Sequence, residues 1–408
     1  MSAIGGVLRT REFRLLFTAQ AVSVLGDRMV AVALAFAVLE IGGSVSDVGL
    51  VLAAGTFPLV ATVLVGGVVA DRVSRRGVMV VADLVRVASQ GTMAALLIAG
   101  AAEEWMLALL AAIAGAATGF FGPASTGILP EVVLAEQLQP ANALRTSAVS
   151  AGEILGPILA GVLVAAAGAG WAIGVDAVTF LISAACLLAL RVPPRIPRAQ
   201  RPFVADLREG WDAFRSRRWV WTFVAYFTVV NLLWGAWGAL GPIVSADDLG
   251  GATAWGFILT AMGIGALAGS LLAARVEPSR PLLLASLTDA IFALPLAFLA
   301  ASQSVPLIAG SALLAGAGMA LTISIWESTL QRHIPGESLS RVSSYDWFGS
   351  LAFYPLGLAI WGPIAGAIGV STSLWLSFGV AVTMTLLLLS VPEIRNLPTA
   401  PRSETSAA

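Results

Sequence analysis

The sequence predicts an all-α polytopic membrane protein. It should hold twelve transmembrane helices in two pseudo-symmetric six-helix bundles, with both termini in the cytoplasm. Three observations predict this. Twelve apolar runs of spanning length follow one another along the chain. The composition is 58% hydrophobic and only 12% charged, where a soluble protein carries about 25% charged residues. The arginines fall on alternate connections, which fits one orientation of the chain.

The runs lie at about 13–38, 46–70, 77–99, 105–127, 140–167, 171–191, 219–243, 253–274, 281–301, 305–330, 340–367 and 371–391. Each has about 20 residues or more, enough to cross roughly 30 Å of hydrocarbon. With the N-terminus inside, Arg9, Arg11 and Arg14 are cytoplasmic, and so are Arg72, Arg75 and Arg76 between the second and third helices. Arg145 opens the fifth helix on the same side, and Arg191 to Arg218 fill the central connection. Arg275, Arg280, Arg332, Arg341, Arg395 and Arg402 complete the set. The outer connections carry no arginine and hold Glu103, Glu104, Asp247 and Asp248 instead. Removing one helix would scatter arginines onto both sides, so their placement supports the count.

The chain divides into a bundle over 1–191, a Pro- and Arg-rich cytoplasmic linker over 192–218, a second bundle over 219–393 and a disordered tail over 394–408. Within the linker, Phe203 to Trp211 reads as a short amphipathic helix for the membrane surface. The halves are weakly repeated. Gly269 to Val276 echoes Gly66 to Val73 without its Asp, and Gly156-Pro157 has a counterpart around Pro355.

Composition also excludes chemistry. All 23 basic residues are Arg. Without Lys there is no P-loop and no Schiff base. One Cys (Cys186) and one His (His333) leave neither a disulfide framework nor a metal site. Cys186 is expected to pack inertly and His333 to be solvated in a polar loop. No enzyme, cofactor or metal is expected, and no cleavable signal peptide is evident.

Gly67-Val68-Val69-Ala70-Asp71-Arg72-Val73-Ser74-Arg75-Arg76 joins the second and third helices in a short basic turn. It resembles the signature loop of the major facilitator superfamily, G-x-L-A-D-R-x-G-R-K/R, with Val69 for Leu and Ser74 for the second Gly. Gly152, Gly156, Pro157 and Gly161 lie in Gly152-Glu153-Ile154-Leu155-Gly156-Pro157-Ile158-Leu159-Ala160-Gly161. That segment looks like the helix-5 antiporter motif of exporting facilitators, with Ala160 for one Gly and Ala143 where the longer form has another. Arg11-Glu12-Phe13-Arg14, Gly26-Asp27-Arg28 and Leu138 to Leu144 are similar to the macrolide-efflux and siderophore-export branch. The resemblance covers the chain to about 391. It implies alternating access around a midplane cavity. It also implies a conformational latch of Gly67, Asp71, Arg72, Arg75 and Arg76 against the start of the eleventh helix, with Asp346 as one partner.

Ionisable groups inside a span cost about 2.5–3.5 kcal/mol or more, so each needs a reason. Gln20, Ser23 and Asp27 share one face of the first helix, with Arg28 adjacent. Asp27 reads either as half of an internal ion pair with Arg28 or as a proton- or substrate-binding carboxylate. Asn142, Thr146, Ser150 and Glu153 share a face of the fifth helix. Glu153 has no basic neighbour within two turns of its own helix, which suits a proton carrier; the alternative is a structural hydrogen bond. Ser343, Asp346, Ser350 and Tyr354 form a face of the eleventh helix. Asp83 and Arg86 read as a structural pair in the third. Asp289 and Glu327 are expected to meet linker or loop arginines. The helix-4 arginine of many drug–proton antiporters is missing from 105–127, and Arg28 is the substitute considered.

Aromatic residues suggest a cavity wall. Phe227, Asn231, Trp234 and Gly238 share a face of the seventh helix, with Trp237 nearby. Phe120, Phe121, Trp326 and Trp347 are candidates to join them, against a packing or lipid-facing alternative. Substrate-cavity candidates are thus Gln20, Arg28, Phe120, Asn231, Trp234, Trp237 and Tyr354. Trp105, Trp171, Trp255 and Trp375 begin helices and read as interfacial anchors.

The function expected is secondary active transport in the inner (plasma) membrane: proton-coupled export of a small amphipathic compound such as a drug, macrolide or siderophore. Asp27 and Glu153 are the proton-coupling candidates. An importer of a nutrient in the same fold, or a non-transporting receptor, are the alternatives. The expected partners are a small-molecule substrate, protons and the bilayer, without nucleic acid, and the chain is expected to act as a monomer.

Overall fold

The computed structural model describes residues 7–134, 137–192, 211–212, 214–273, 275–276, 278–334, 342, 345–346, 349–350 and 352–399. The expected amphipathic segment before Trp211, the tail beyond 399, Ser343 and Trp347 lie outside them, as do the side chains of Asp71, Arg72 and Asn142 and the setting of Gly67.

The helices run in the expected order: α1 (Arg11–Glu40), α2 (Val45–Arg72), α3 (Arg75–Ile98), α4 (Glu104–Val132), α5 (Leu138–Ala167), α6 (Ala169–Ala189), α7 (Arg218–Val244), α8 (Ala252–Ala273), α9 (Pro281–Ala300), α10 (Val305–His333), α11 (Tyr354–Ile368) and α12 (Val370–Ser390). Among the described residues, 11 are long and apolar enough to cross a membrane, and α11 is a shorter apolar helix. A π-helical turn, Ser245–Leu249, continues α7, and a 3₁₀ turn, Ile291–Ala293, interrupts α9. Prolines sit inside α2, α4, α5, α7 and α11. Neighbouring helices and hydroxyl side chains make such breaks tolerable in a membrane.

Local chemistry sets the turns. Ser44 and Asp47 form a capping box at the start of α2, with Ser44 N–H donating to Asp47 Oδ2 at 2.8 Å. Ser74 caps α3 by accepting from Gly77 N–H at 3.2 Å, so the residue that departs from the family loop acquires a role. Gly168 alone separates α5 from α6 at φ +94°, and Gly369 alone separates α11 from α12 at φ +89°. The same left-handed hinge thus recurs in both halves, where a side chain would be strained.

By packing, the chain forms two compact units. The first comprises 1–198 with 239–260 and 358–366; the second comprises 199–238, 261–357 and 367–408. Division by contacts therefore assigns the end of α7, the start of α8 and part of α11 to the same unit as α1–α6. In the first unit, α2 lies along α4, α6 along α1 and α3, and α5 along α1. Glycine makes these approaches possible. A Cβ on Gly115 would collide with the Gly55 carbonyl, and one on Gly66 with the Gly119 carbonyl. Gly161 faces the Ala252 carbonyl, and Gly256 faces that of Pro157. Small residues of this kind let spanning helices pack backbone to backbone.

Two apolar cores match the two units. One gathers Phe13, Leu16, Met79, Phe121, Ile128 and Leu187. The other gathers Trp219, Phe223, Tyr226, Leu282, Phe292 and Trp326. Trp105, Trp171 and Trp375 are exposed at helix starts, as interfacial anchors are. Trp255 is 2% exposed and lies over Gly241, so it fills the core rather than reaching the interface. His333 also differs from expectation. It closes α10, with Nδ1 3.0 Å from the Thr329 carbonyl and its ring edge-on to Trp219.

Gly115→Val should lower the thermal stability of the purified protein by about 1–3 kcal/mol, the usual cost of overpacking. Gly91→Ala, where a Cβ meets nothing within 4 Å, should leave it unchanged; a detergent-phase melting curve of each variant checks this.

Candidate functional site

The first unit carries three linked sets of polar side chains on spanning helices. The first joins α1 to α5. Arg28 Nη2 lies 3.1 Å from Glu153 Oε1. Glu153 therefore has an ionic partner from another helix, which its own sequence neighbours do not reveal. Gly156, one turn on, makes this possible: a Cβ there would press 2.5 Å from Arg28 Cβ. Gly152 abuts Val24 in the same way. Both side chains of the pair are partly open, 46% and 37% exposed.

The second set joins α1, α4 and α5. Gln20 Nε2 donates to Ser125 Oγ at 2.7 Å, and Arg145 Nη2 to the same oxygen at 3.3 Å. Arg145 thus reaches into the bundle. Sequence position suggested only a topogenic charge at the helix start. Gln20 Oε1 is buried without a hydrogen-bond partner.

The third set joins α1, α3 and α6. Arg86 is 1% exposed. Its Nη2 is paired with Asp83 Oδ1, and its Nη1 lies 3.8 Å from Asp27 Oδ1. Its guanidinium sits over the rings of Phe180 at 4.0 Å and Phe121 at 4.4 Å. Cation–π contact of this kind helps a desolvated cation. Ser183 Oγ donates to Asp83 Oδ2 at 2.6 Å. Asp176 is fully buried beside Thr179 and within electrostatic reach of Asp27, Arg86 and Asp83. Asp176 is not among the sequence-based candidates; its signal is a polar face with Thr179 and Ser183 at i, i+3 and i+7 in an otherwise apolar run. Asp27 and Arg28 are adjacent in sequence yet take different partners, because neighbouring residues of a helix point about 100° apart.

In the second unit, Tyr226 donates to Asp289 Oδ2 at 2.7 Å and lies 3.1 Å from Thr385 Oγ1. Asp289 therefore meets a tyrosine of α7 rather than the loop arginines expected for it. It precedes the 3₁₀ break in α9. Close by, Trp234 stacks on Phe292 at 3.7 Å between ring centroids and on Trp237 at 5.2 Å. Asn231 Nδ2 donates to the Phe227 carbonyl at 3.0 Å. Trp326 packs on Phe223 at 4.7 Å and donates to Asp346 Oδ2 at 2.9 Å. Ser350 Oγ donates to Asp346 at 3.3 Å.

The cavity candidates divide between the units. Gln20, Arg28 and half-buried Phe120 belong to the first; Asn231, Trp234, Trp237 and Tyr354 belong to the second. The basic turn also has local partners. Arg75 Nη1 donates to Glu131 Oε1 at 2.9 Å and to the Gly127 carbonyl, both on α4. A carboxylate of α4 is thus one partner of Arg75. Arg76 donates to the carbonyls of Leu187 at 2.8 Å and Leu188 at 2.5 Å, capping the end of α6.

A family profile described as Major Facilitator Superfamily matches residues 16–352. The chain belongs to that superfamily. It is a transporter of small molecules and a multi-pass protein of the plasma membrane. Its relatives include the multidrug efflux pump Tap of Mycolicibacterium fortuitum, 28% identical over 402 residues, covering 92% of this chain and 94% of the relative. Macrolide efflux protein A of Streptococcus pyogenes is 23% identical over 394 residues, covering 95% and 97%. The enterobactin exporter EntS of Escherichia coli is 26% identical over 408 residues, covering 97% and 95%. Among solved structures, the peptide transporter POT in complex with sulfate superposes with a TM-score of 0.74 at 14% identity over 96% of each chain. The nucleoside transporter NupG does so at 0.73 and 13% identity, covering 92% of this chain and 99% of its own. These structures establish the superfamily fold.

Tyr226→Phe leaves the buried Asp289 without its hydroxyl donor and should cost about 1–3 kcal/mol of stability. Adding Asp289→Leu should recover part of that loss, because both polar groups are then removed; a double-mutant cycle of melting temperatures measures the coupling.

Proposed function

We propose that this transporter is a proton-coupled exporter of small amphipathic compounds of the drug, macrolide or siderophore kind, working by alternating access as a monomer. The observation that carries the reading is the partly open Arg28–Glu153 pair on two spanning helices. An ion pair at that depth is favourable facing water rather than lipid, so it fits the wall of a solvent-filled path. Glu153 belongs to the segment resembling the antiporter motif, and Gly156 of that segment holds Arg28 close. The names of the three relatives over their full lengths support export rather than uptake. The stacked Trp234, Trp237 and Phe292 suit an apolar, ring-bearing substrate.

Asp27 and Glu153 are the coupling carboxylates in this reading. Protonation from outside favours substrate release, and proton loss to the cytoplasm resets the carrier. Coupling requires that proton and substrate bias the two conformations differently. The arginine asymmetry along the sequence supports cytoplasmic termini.

Accumulation of a panel of macrolides, dyes and siderophores in a pump-deficient host tests the proposal. Wild type should lower accumulation of at least one compound about tenfold, and a protonophore should abolish the effect. Asp27→Asn should abolish it as well, and Glu153→Gln should at least halve it. Protonophore-insensitive efflux would remove proton coupling; raised accumulation in energised cells would reverse the direction.

A further inference from the structure

The charges packed between α1, α3 and α6 do not balance. Three carboxylates, Asp27, Asp83 and Asp176, stand about one guanidinium, Arg86. Arg28 of α1 also acts on Asp27, but it is paired with Glu153 of α5, and the two together add no net charge. At this point α4 presents Phe121 and α6 presents Phe180, both against Arg86. With every group ionised, two negative charges would lack a counter-ion in apolar surroundings. Such an excess is relieved by binding a proton or a cation. Among the described residues no three His, Cys, Asp or Glu side chains are grouped to hold a metal ion. That favours the proton.

The three acids differ in what they have left to offer. Asp83 is saturated, with Arg86 on one oxygen and Ser183 on the other. Asp27 keeps a side chain 41% exposed and touches Arg86 only at 3.8 Å. Asp176 is 0% exposed, and its Oδ2 is buried without a hydrogen-bond partner. Its Oδ1 lies 3.3 Å from Thr179 Oγ1. A Cβ on Gly26 would collide with that same Oδ1, so the absent side chain at 26 lets Asp176 lie against the backbone that carries Asp27.

We propose that Asp27, Asp83 and Asp176 about Arg86 form a proton-loading centre, with Asp176 Oδ2 as the atom that holds the proton and Asp27 as its connection to water. This rests on the proton-coupled reading above and deepens it, naming a carrier on α6. Asp83 and Arg86 are positioning residues. The step is one proton transfer: hydronium gives a proton to the carboxylate, leaving water and a carboxylic acid, and the return step reverses it. A proton on Asp176 lessens the demand on Arg86, which then turns further toward Asp83 and loosens its hold on Asp27. That shifts α1 against α3, a change both conformations can be biased by.

pH-difference infrared spectroscopy of the purified protein in lipid nanodiscs tests this without any substrate. Wild type should show a carboxylic-acid C=O band that titrates and shifts in heavy water. Carbon-13 labelling of aspartate carboxyls should move the band to lower frequency. Asp176→Asn should abolish it, Glu153→Gln should retain it, and Asp27→Asn should retain it with a displaced midpoint. If Asp176→Asn does not fold, Thr179→Val, which removes the neighbouring hydroxyl, should still shift the band's frequency. A band unmoved by labelled aspartate, one surviving Asp176→Asn, one abolished by Asp27→Asn, or no titrating band at all would each overturn the proposal. Raised accumulation in energised cells alongside the expected band would instead sink the export reading and leave the proton centre standing.

Discussion

A guanidinium buried among spanning helices must find its counter-charges on its own or neighbouring helices, because lipid supplies none. Arg86 meets this requirement by drawing Asp83 from its own helix and Asp27 from α1, with two aromatic faces on its flanks. Asp83 in turn takes Ser183 from α6. One cation therefore links side chains of three helices of the first unit. Breaking such a buried set by removing one member costs about 3–5 kcal/mol, because the survivors remain charged and unpaired.

The second unit repeats the arrangement with weaker chemistry. Asp289 is the ninth residue of α9, as Asp83 is of α3. It is linked to the first helix of its half through Tyr226, which also reaches Thr385 of the sixth, as Asp83 is linked to the first through Arg86 and bonds Ser183 of the sixth. There the cation is replaced by a phenol. The two halves thus share a polar knot on corresponding helices, but only the first contains opposed charges. Among the described residues, this buried opposed charge is concentrated in the N-terminal half.

Backbone proximity supports these side chains. Where α1 passes α5, Gly156 lets Arg28 approach; where it passes α6, Gly26 makes room for Asp176. Both glycines precede or follow a charged residue by at most one turn. The glycine pattern and the charge pattern are therefore one design: the first sets the distance at which the second can pair. The same device joins Gly161 and Gly256 to carbonyls of α8 and α5, away from any charge, where it serves close packing alone.

Much of the fold was legible from the sequence. Twelve apolar runs, the short turns and the arginine bias express constraints that act residue by residue: hydrocarbon thickness, backbone hydrogen bonding and the placement of charge. The loop and glycine–proline motifs pointed to the superfamily for the same reason. Individual partners were not legible. Glu153 looked unpaired because its own helix holds no cation near it, and Arg28 comes from a helix more than a hundred residues earlier. Trp255 looked like an interfacial anchor because it begins a helix, and only packing shows Gly241 beneath it. Asp176 shares a helix face with Thr179 and Ser183 at i, i+3 and i+7, but that spacing does not say which neighbouring helix the face meets. The sequence by itself determined that this chain spans a membrane many times and which residues are costly to place there. Tertiary structure decided which charges meet, because ion pairing across helices depends on the rotation and closeness of neighbours, which no one helix encodes.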